Sequence, residues 1–318
     1  MPSVTAFAPA TVSNVACGFD VLGFALGTPG DEVTARFVDA HATDPQVRID
    51  EISGDAGRLP RDSAKNTAGV AAQTLLATLG ERRGVALRIH KGLPLSSGLG
   101  GSAASAVAAV VAVDALLDAR APRDMLMAAA FEGERVGAGS AHGDNIAPCL
   151  YAGFVLVRRA NPPDIVRLPV PDGLVAVVVH PDLEIETAQA RALLGDWVRL
   201  ADAIQQWANL GAFVHALHCG DFALLARSLE DRIAEPRRAP LVPGFQAIKD
   251  AALGAGALGC SLSGSGPSLF ALCRGDGPAR HVADAMAAAV TRSIGRAPET
   301  YVSPIVPEGA RIVSTCVS

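Results

Sequence analysis

The residues best suited to chemistry form one run, Pro94-Leu95-Ser96-Ser97-Gly98-Leu99-Gly100-Gly101-Ser102-Ala103-Ala104-Ser105. Glycine lets the backbone approach a bulky anion with no side chain in the way. The run lies between a strand-like stretch, Val85 to His90, and a long Ala/Val helix that starts near Ser102. A helix start supplies unpaired N–H groups and the positive end of a macrodipole. Strand, Gly/Ser loop and helix in that order read as a cradle for a polyphosphate. The plain alternative is a tight turn with a Ser/Thr cap, but such a turn needs one glycine and this one has three.

Other phosphate signatures are absent. There is no G-x-x-x-x-G-K-[ST] and no H-R-D or D-F-G set. Gly98, Gly100 and Ala103 satisfy a dinucleotide fingerprint, with Asp118 some distance on. A ribose-binding acid should end the next strand, whereas Asp118 ends the same helical run, and another helix follows it. The fingerprint therefore fails on context.

The elements that must position this loop alternate irregularly. Strands are expected near Val4–Phe7, Glu32–Val38, Val47–Ile52, Val85–His90 and Phe154–Arg158, with a helix at Thr67–Leu79 capped by Gly80. The loop helix should bury Ala104, Val107, Val111 and Ala115 on one face, and the next helix should carry Pro122 at its first position. The second half has an apolar strand at Leu174–His180. Helices are expected at Thr187–Leu194, Trp197–His218 and Asp221–Glu235, with Asp221 as N-cap and Pro236 as terminator. A helix at Phe245–Leu253, a glycine cluster from Gly254 to Gly266, a strand at Ser268–Cys273, a helix at Pro278–Arg292 and a strand at Thr300–Ser303 follow. The 318 residues suit two domains, 1–160 and 161–318, joined near Pro162-Pro163.

Half of the residues are hydrophobic, so a sizeable core can form, and the net charge of −5 argues against nucleic acid as a partner. The longest apolar run, Ala103 to Val113, is too short to span a bilayer, and the first residues lack a basic secretory start. Six scattered cysteines without a C-x-x-C pair fit buried free thiols in a reducing cytoplasm.

The loop resembles the central motif of the GHMP small-molecule kinases, whose P-x-x-x-G-L-G-x-S-A-A pattern is matched at Pro94, Gly98, Leu99, Gly100, Ser102, Ala103 and Ala104. Two further motifs of that family occur in order: Ala8-Pro9-Ala10-Thr11-Val12-Ser13-Asn14 running on to Gly18-Phe19-Asp20, and the loop Ser261-Leu262-Ser263-Gly264-Ser265-Gly266-Pro267-Ser268. Within the family the sequence is most similar to the homoserine kinases. The run through Val21-Leu22-Gly23, the stretch from Glu134 to Pro148, and Glu235-Pro236-Arg237-Arg238 with Leu241-Val242-Pro243-Gly244-Phe245 match their signatures. One departure is Val15-Ala16-Cys17, where many members read Leu-Gly-Pro; Asn14 and Asp20 are kept.

The resemblance implies an α+β, two-domain GHMP kinase fold: an N-terminal part like domain 2 of ribosomal protein S5, a ferredoxin-like C-terminal part, and nucleotide between them. It implies phosphorylation of L-homoserine by ATP with Mg²⁺, giving O-phospho-L-homoserine for threonine synthesis, in a cytoplasmic enzyme expected to be a homodimer. The ATP site would comprise residues 94–104 together with Asn66 and Lys91. Ser102 and Glu134 would hold the metal. Asn14, Asp20, Asn145, Thr187, Arg191 and Arg238 would hold homoserine, the arginines on its carboxylate and Asp20 on its ammonium. Arg237 competes with Arg238 for that place. Taken without the resemblance, Asn66 reads as a helix cap, Lys91 as a surface lysine, and Glu134 as a solvated helix residue. Asn145 stands where mevalonate-type relatives carry aspartate and cannot take a proton, so the resemblance implies catalysis by alignment with no dedicated base. His142 reads as a structural or proton-handling residue, and Asp144 as an alternative carboxylate one position away. A kinase for another small alcohol, or a non-catalytic metabolite binder, is the competing reading.

Overall fold

A computed structural model describes residues 2–38, 46–138 and 143–316. The first sheet begins with a long antiparallel pair, β1 (Ser3–Ser13) and β2 (Leu22–Val38), joined through a 3-10 turn at Ala16–Gly18. The length of β2 gives it two partners. Its far half pairs with β4 (Gly84–His90), itself parallel to β3 (Val47–Ser53), and its near half pairs with β5 (Phe154–Arg159). β6 (Asp164–Leu168) extends β5, and β11 (Arg311–Cys316) returns to pair with β1.

Helices α1 (Thr67–Leu79), α2 (Gly101–Leu117) and α3 (Arg123–Ala138) pack against one another, with α2 on β1 and β2 and α4 (Gly143–Tyr151) beside it. The bounds of α1 and its Gly80 cap are as read from the sequence. α2 departs from the expected single apolar face. It is buried on all sides from Ala103 to Val110, while Ala115 is exposed. Alanine side chains are short enough for a helix to be sandwiched between a sheet and two neighbours, and such a helix is apolar all round.

The second sheet runs β10 (Glu299–Pro304), β7 (Leu174–His180), β9 (Leu269–Arg274), β8 (Gly259–Leu262), antiparallel throughout. The unbroken apolar run of β7 has a simple cause. Val175, Val177 and Val179 face a core with α9 (Phe245–Gly254) and α10 (Asp276–Ile294), while Ala176 and Val178 join the core of the first sheet. Between β7 and α9 come α5 (Thr187–Ala192), α6 (Leu200–Cys219), α7 (Phe222–Ser228) and α8 (Glu235–Arg238).

Several expectations need correction. The helix expected over Asp221–Glu235 keeps its Asp221 cap (Leu224 N–H donor, 2.9 Å) but ends at Ser228. The buried Asp231 carboxylate then gathers the N–H groups of Ile233, Ala234 and Glu235 at 2.8–2.9 Å, and Pro236 opens α8 instead of ending a helix. Proline is tolerated there because a first-turn N–H has no helical acceptor to lose. Pro122 lies just ahead of α3, its carbonyl accepting from Met125 and Leu126. α4, β6, β8 and β11 were not expected. Because β6 and β11 complete the first sheet, the boundary at 160/161 does not fall between the two sheets.

Candidate active site

The glycine run makes a tight path at the mouth of α2. Ser96, Gly98 and Gly100 all have left-handed φ (55°, 77° and 69°). A side chain on Gly100 would collide with the Thr11 hydroxyl, and one on Gly98 with the Ser263 and Gly266 carbonyls. The loop is clamped from the second sheet. Ser263 Oγ donates to the Gly98 carbonyl (2.7 Å), and Ser268 N–H to that of Ser97 (3.3 Å). From the first sheet, the Thr11 N–H donates to Leu99 (3.1 Å). The two Gly/Ser motifs are thus one structure.

This loop borders a cavity of about 700 Å³. Pro94, Leu95, Ser96, Ser97, Gly98, Gly100, Gly101 and Ser102 line it, and the first-turn N–H groups of α2 lack helical acceptors. The buried Ser97 hydroxyl has no partner. Leu99, Ala103 and Ala104 are fully buried and do not line the cavity, so they can offer it main chain only.

Ser102 Oγ donates to Glu134 Oε1 at 2.9 Å, bringing α2 and α3 together in the cavity wall. Glu134 is buried, and its Oε2 has no partner. Burial pushes its carboxyl up to about 7, opposed by the Ser102 hydrogen bond and the charge of Lys91. It is therefore no solvated helix residue. A hydroxyl beside a half-satisfied buried carboxylate, next to a phosphate-sized loop, fits a Mg²⁺ ion, which takes one or two protein oxygens and fills its remaining positions with phosphate and water.

Lys91 is not on the surface; it is buried at the cavity wall. Its buried Nζ ion-pairs with Asp31 and donates to the Gly101 carbonyl (2.7 Å) and Ser105 Oγ (2.8 Å), which occupies all three ammonium protons. Asn66 also works inward. It caps α1 through Oδ1 to the N–H groups of Ala68 (3.0 Å) and Gly69 (3.4 Å), and its Nδ2 donates to the Pro60 carbonyl (3.0 Å). It still lines the cavity, so cap and wall are one residue.

The far end of the cavity carries charge of both signs. Arg191 Nη1 lies 2.6 Å from an Asp20 carboxylate oxygen. Arg238 is buried, donating to the carbonyls of Gly264 (3.0 Å) and Ala190 (3.3 Å). Both guanidinium groups lie over the Phe19 ring, at 5.5 and 5.2 Å. Thr187, at the start of α5, lines the same end. Arg237 is half-buried, does not line the cavity, and donates to the Trp197 carbonyl (2.9 Å). Asn14 is a joint more than a free ligand: its Nδ2 donates to Gly264 O (2.9 Å), and its Oδ1 accepts from the Asp20 N–H (3.0 Å). Asn145 lines the cavity and accepts from Thr11 Oγ1 (2.8 Å).

Asp144 is the alternative carboxylate one position from Asn145. It is buried at the cavity wall, with Oδ2 accepting from the Asn14 N–H (3.2 Å) and Oδ1 unpartnered. Burial, then the nearby Asp20 charge, raises its carboxyl to about 7. Its place depends on α4, which carries Pro148 inside and so gave no clean helical pattern. His142 lies outside the described residues.

The sequence matches family models described as GHMP kinases N terminal domain over residues 66–153 and GHMP kinases C terminal over residues 200–291. It is 46% identical to a homoserine kinase of Chlorobaculum tepidum, over 99% of each chain. It is 45% identical to one of Xanthomonas campestris pv. campestris, over 97% of this chain and 94% of the other. The crystal structure of homoserine kinase from Cytophaga hutchinsonii superposes with a TM-score of 0.94 at 48% identity, covering 98% of this chain and 97% of that one. Matches of this extent, on a glycine loop, a carboxylate and an arginine pair gathered in one cavity, place the chain in the GHMP kinase family, among the homoserine kinases.

Proposed function

We infer that this chain is an ATP-dependent kinase that phosphorylates the hydroxyl of L-homoserine, a step toward threonine. The observation that carries the chemistry is the sharing of one 700 Å³ cavity by an anion cradle and a two-signed cluster. The cradle would take the triphosphate on the main-chain amides of residues 96–102 and the unpartnered Ser97 hydroxyl. Opposite it, Arg191 and Arg238 suit an amino-acid carboxylate, while Asp20 and the open Oδ1 of Asp144 suit its ammonium. An isoprenoid alcohol such as mevalonate has a carboxylate for the arginines but no ammonium for the acidic side.

Glu134 and Ser102 would hold Mg²⁺, which would neutralise charge on the transferring phosphoryl group. Asn145 accepts a hydrogen bond from Thr11 and cannot accept a proton, so it orients. The chain's contribution to rate is alignment of hydroxyl and phosphate, with N–H donors already in place where charge builds. A cytoplasmic location belongs to the same proposal, motivated by six cysteines without a disulfide; four are buried as expected, while Cys219 and Cys316 are exposed. Among the described residues no helix is long and apolar enough to cross a membrane.

The test is ADP release from Mg-ATP with L-homoserine, mevalonate, galactose and L-threonine supplied separately. Turnover with homoserine alone is expected. Turnover only with mevalonate or galactose would reassign the acceptor, and binding without ADP would make the chain a metabolite sensor.

A further inference from the structure

Two guanidinium groups share one aromatic ring at the charged end of the cavity. Arg191 lies 5.5 Å and Arg238 5.2 Å from the centre of the Phe19 ring. Like charges this close oppose one another. Burial holds the Arg238 guanidinium below its usual range, the Asp20 charge works against that, and the Arg191 charge adds to it. Something in the chain must therefore hold both cations in one place. The carbonyls of Ala190 and Gly264 engage Arg238, but they occupy only two of its five N–H groups. Arg191 is paired with Asp20 through Nη1. A further polar partner would steady these side chains by using up the donors that a ligand needs. The face of an aromatic ring does not. It attracts a cation through its quadrupole and leaves the N–H groups, which lie in the guanidinium plane, available to a carboxylate.

The ring itself is fixed by the turn that carries it. A Cβ on Gly18 would lie 2.2 Å from that of Leu22, and the Val21 N–H donates to the Gly18 carbonyl (3.0 Å). Asp20 takes a left-handed φ of 60°, with its N–H on Asn14 Oδ1 (3.0 Å). Phe19 is half-buried and does not line the cavity, so it reaches a ligand only through the two arginines. We propose that Phe19 is a positioning residue for the acceptor: its ring holds Arg191 and Arg238 by cation–π attraction and leaves their in-plane N–H groups to grip one carboxylate together. This role rests on the reading of the acceptor as an amino acid whose carboxylate meets both arginines. The turn from Gly18 to Val21 then carries both the acid that suits the ammonium and the ring behind the cations that suit the carboxylate.

The test separates attraction by the ring from the filling of space. Phe19 would be replaced by mono-, di- and trifluorophenylalanine, which weaken the negative face of the ring stepwise at nearly constant size, and by Tyr and Leu. Phe19→Leu should raise the KM for homoserine by about 5- to 30-fold. The KM for ATP and kcat should hardly change, because the carboxylate is remote from the reacting hydroxyl and is gripped alike before and during transfer. Phe19→Tyr should keep the KM for homoserine within about threefold of the wild type, and log KM should climb steadily with fluorine number. A flat fluorine series beside a raised KM in Phe19→Leu would make the ring a filler and overturn the proposal, as would an equal rise in the KM for ATP. A second measurement needs no acceptor. In the ligand-free protein the Nε–H resonances of Arg191 and Arg238 should be displaced by the ring current, and should return to ordinary arginine positions in Phe19→Leu, with circular dichroism as the check on folding. Undisplaced resonances in the wild type would overturn the role of the ring. Inactivity of the wild type toward homoserine would overturn the acceptor assignment instead, and the resonances would still decide for or against the ring.

Discussion

Two buried carboxyl groups reach the first turns of the same helix, and they live in opposite circumstances. Asp31 is wholly enclosed, yet it accepts from the N–H groups of Gly92 (3.1 Å) and Leu93 (3.2 Å), from Ser105 Oγ (2.7 Å), and from the Lys91 ammonium. Glu134 has one partner, Ser102, and an oxygen with none. Ser102 and Ser105 are three residues apart on α2, neighbours on one face, yet one donates to Glu134 and the other to Asp31. The satisfied carboxylate fastens the end of β4 to the loop and helix that follow it. The unsatisfied one is incomplete without something that brings positive charge. Burial alone therefore does not mark a functional acid; the unfilled hydrogen-bonding capacity does.

The comparison can be broken at either end. Lys91→Met would leave Asp31 enclosed without its cation, and should cost about 3–5 kcal/mol of folding stability, read by urea unfolding. A loss below about 1 kcal/mol would mean that Asp31 is held well enough by its neutral donors. Glu134→Gln should behave in the opposite way. Turnover should fall by on the order of 10²–10³, while the ligand-free protein becomes more stable above neutral pH. The sign follows from proton binding. The folded state keeps the Glu134 proton up to about 7, whereas the unfolded chain loses it near 4.5, so stability declines as pH rises between those values and levels off above them. Glutamine removes that decline, worth up to about 3 kcal/mol, and a shallower slope from Asp144 should remain. Thermal melts from pH 5 to 8 in both proteins check it; parallel curves would show that Glu134 is already ionised without a ligand.

A smaller effect sharpens the contrast between the neighbouring arginines. Arg238→Ala should raise the KM for homoserine by about 10- to 100-fold, the scale of a lost charge-assisted hydrogen bond, with the KM for ATP nearly unchanged. Arg237→Ala should leave both constants alone, since that side chain reaches the Trp197 carbonyl and not the cavity. Equal damage to both constants in Arg238→Ala would recast it as a clamp on the Gly264 loop.

The sequence disclosed most where a local rule decides the outcome. Asn66 and Gly80 bound α1, β7 is legible from its apolar run, and the three glycines announce the loop. It disclosed least where distant partners decide. β8 is a four-residue strand within a glycine cluster, and β11 is exposed along its length, so neither carries an alternating pattern. The partner of Lys91 is Asp31, sixty positions earlier, and nothing in the composition of either segment pairs them. In the sequence Asp144 is only an alternative beside Asn145, the residue at the motif position. Only the packing of α4 shows one of its oxygens left open in the cavity wall.

The pairing of β11 with β1 has a consequence for biosynthesis. Ser3 faces Cys316 across that ladder, so the earliest strand of the first sheet lacks its outer neighbour until every element of the second sheet has been made. During synthesis β1 presents a bare row of amide and carbonyl groups, open to any other nascent strand. The two halves of this molecule are in that sense laced shut by the same thread.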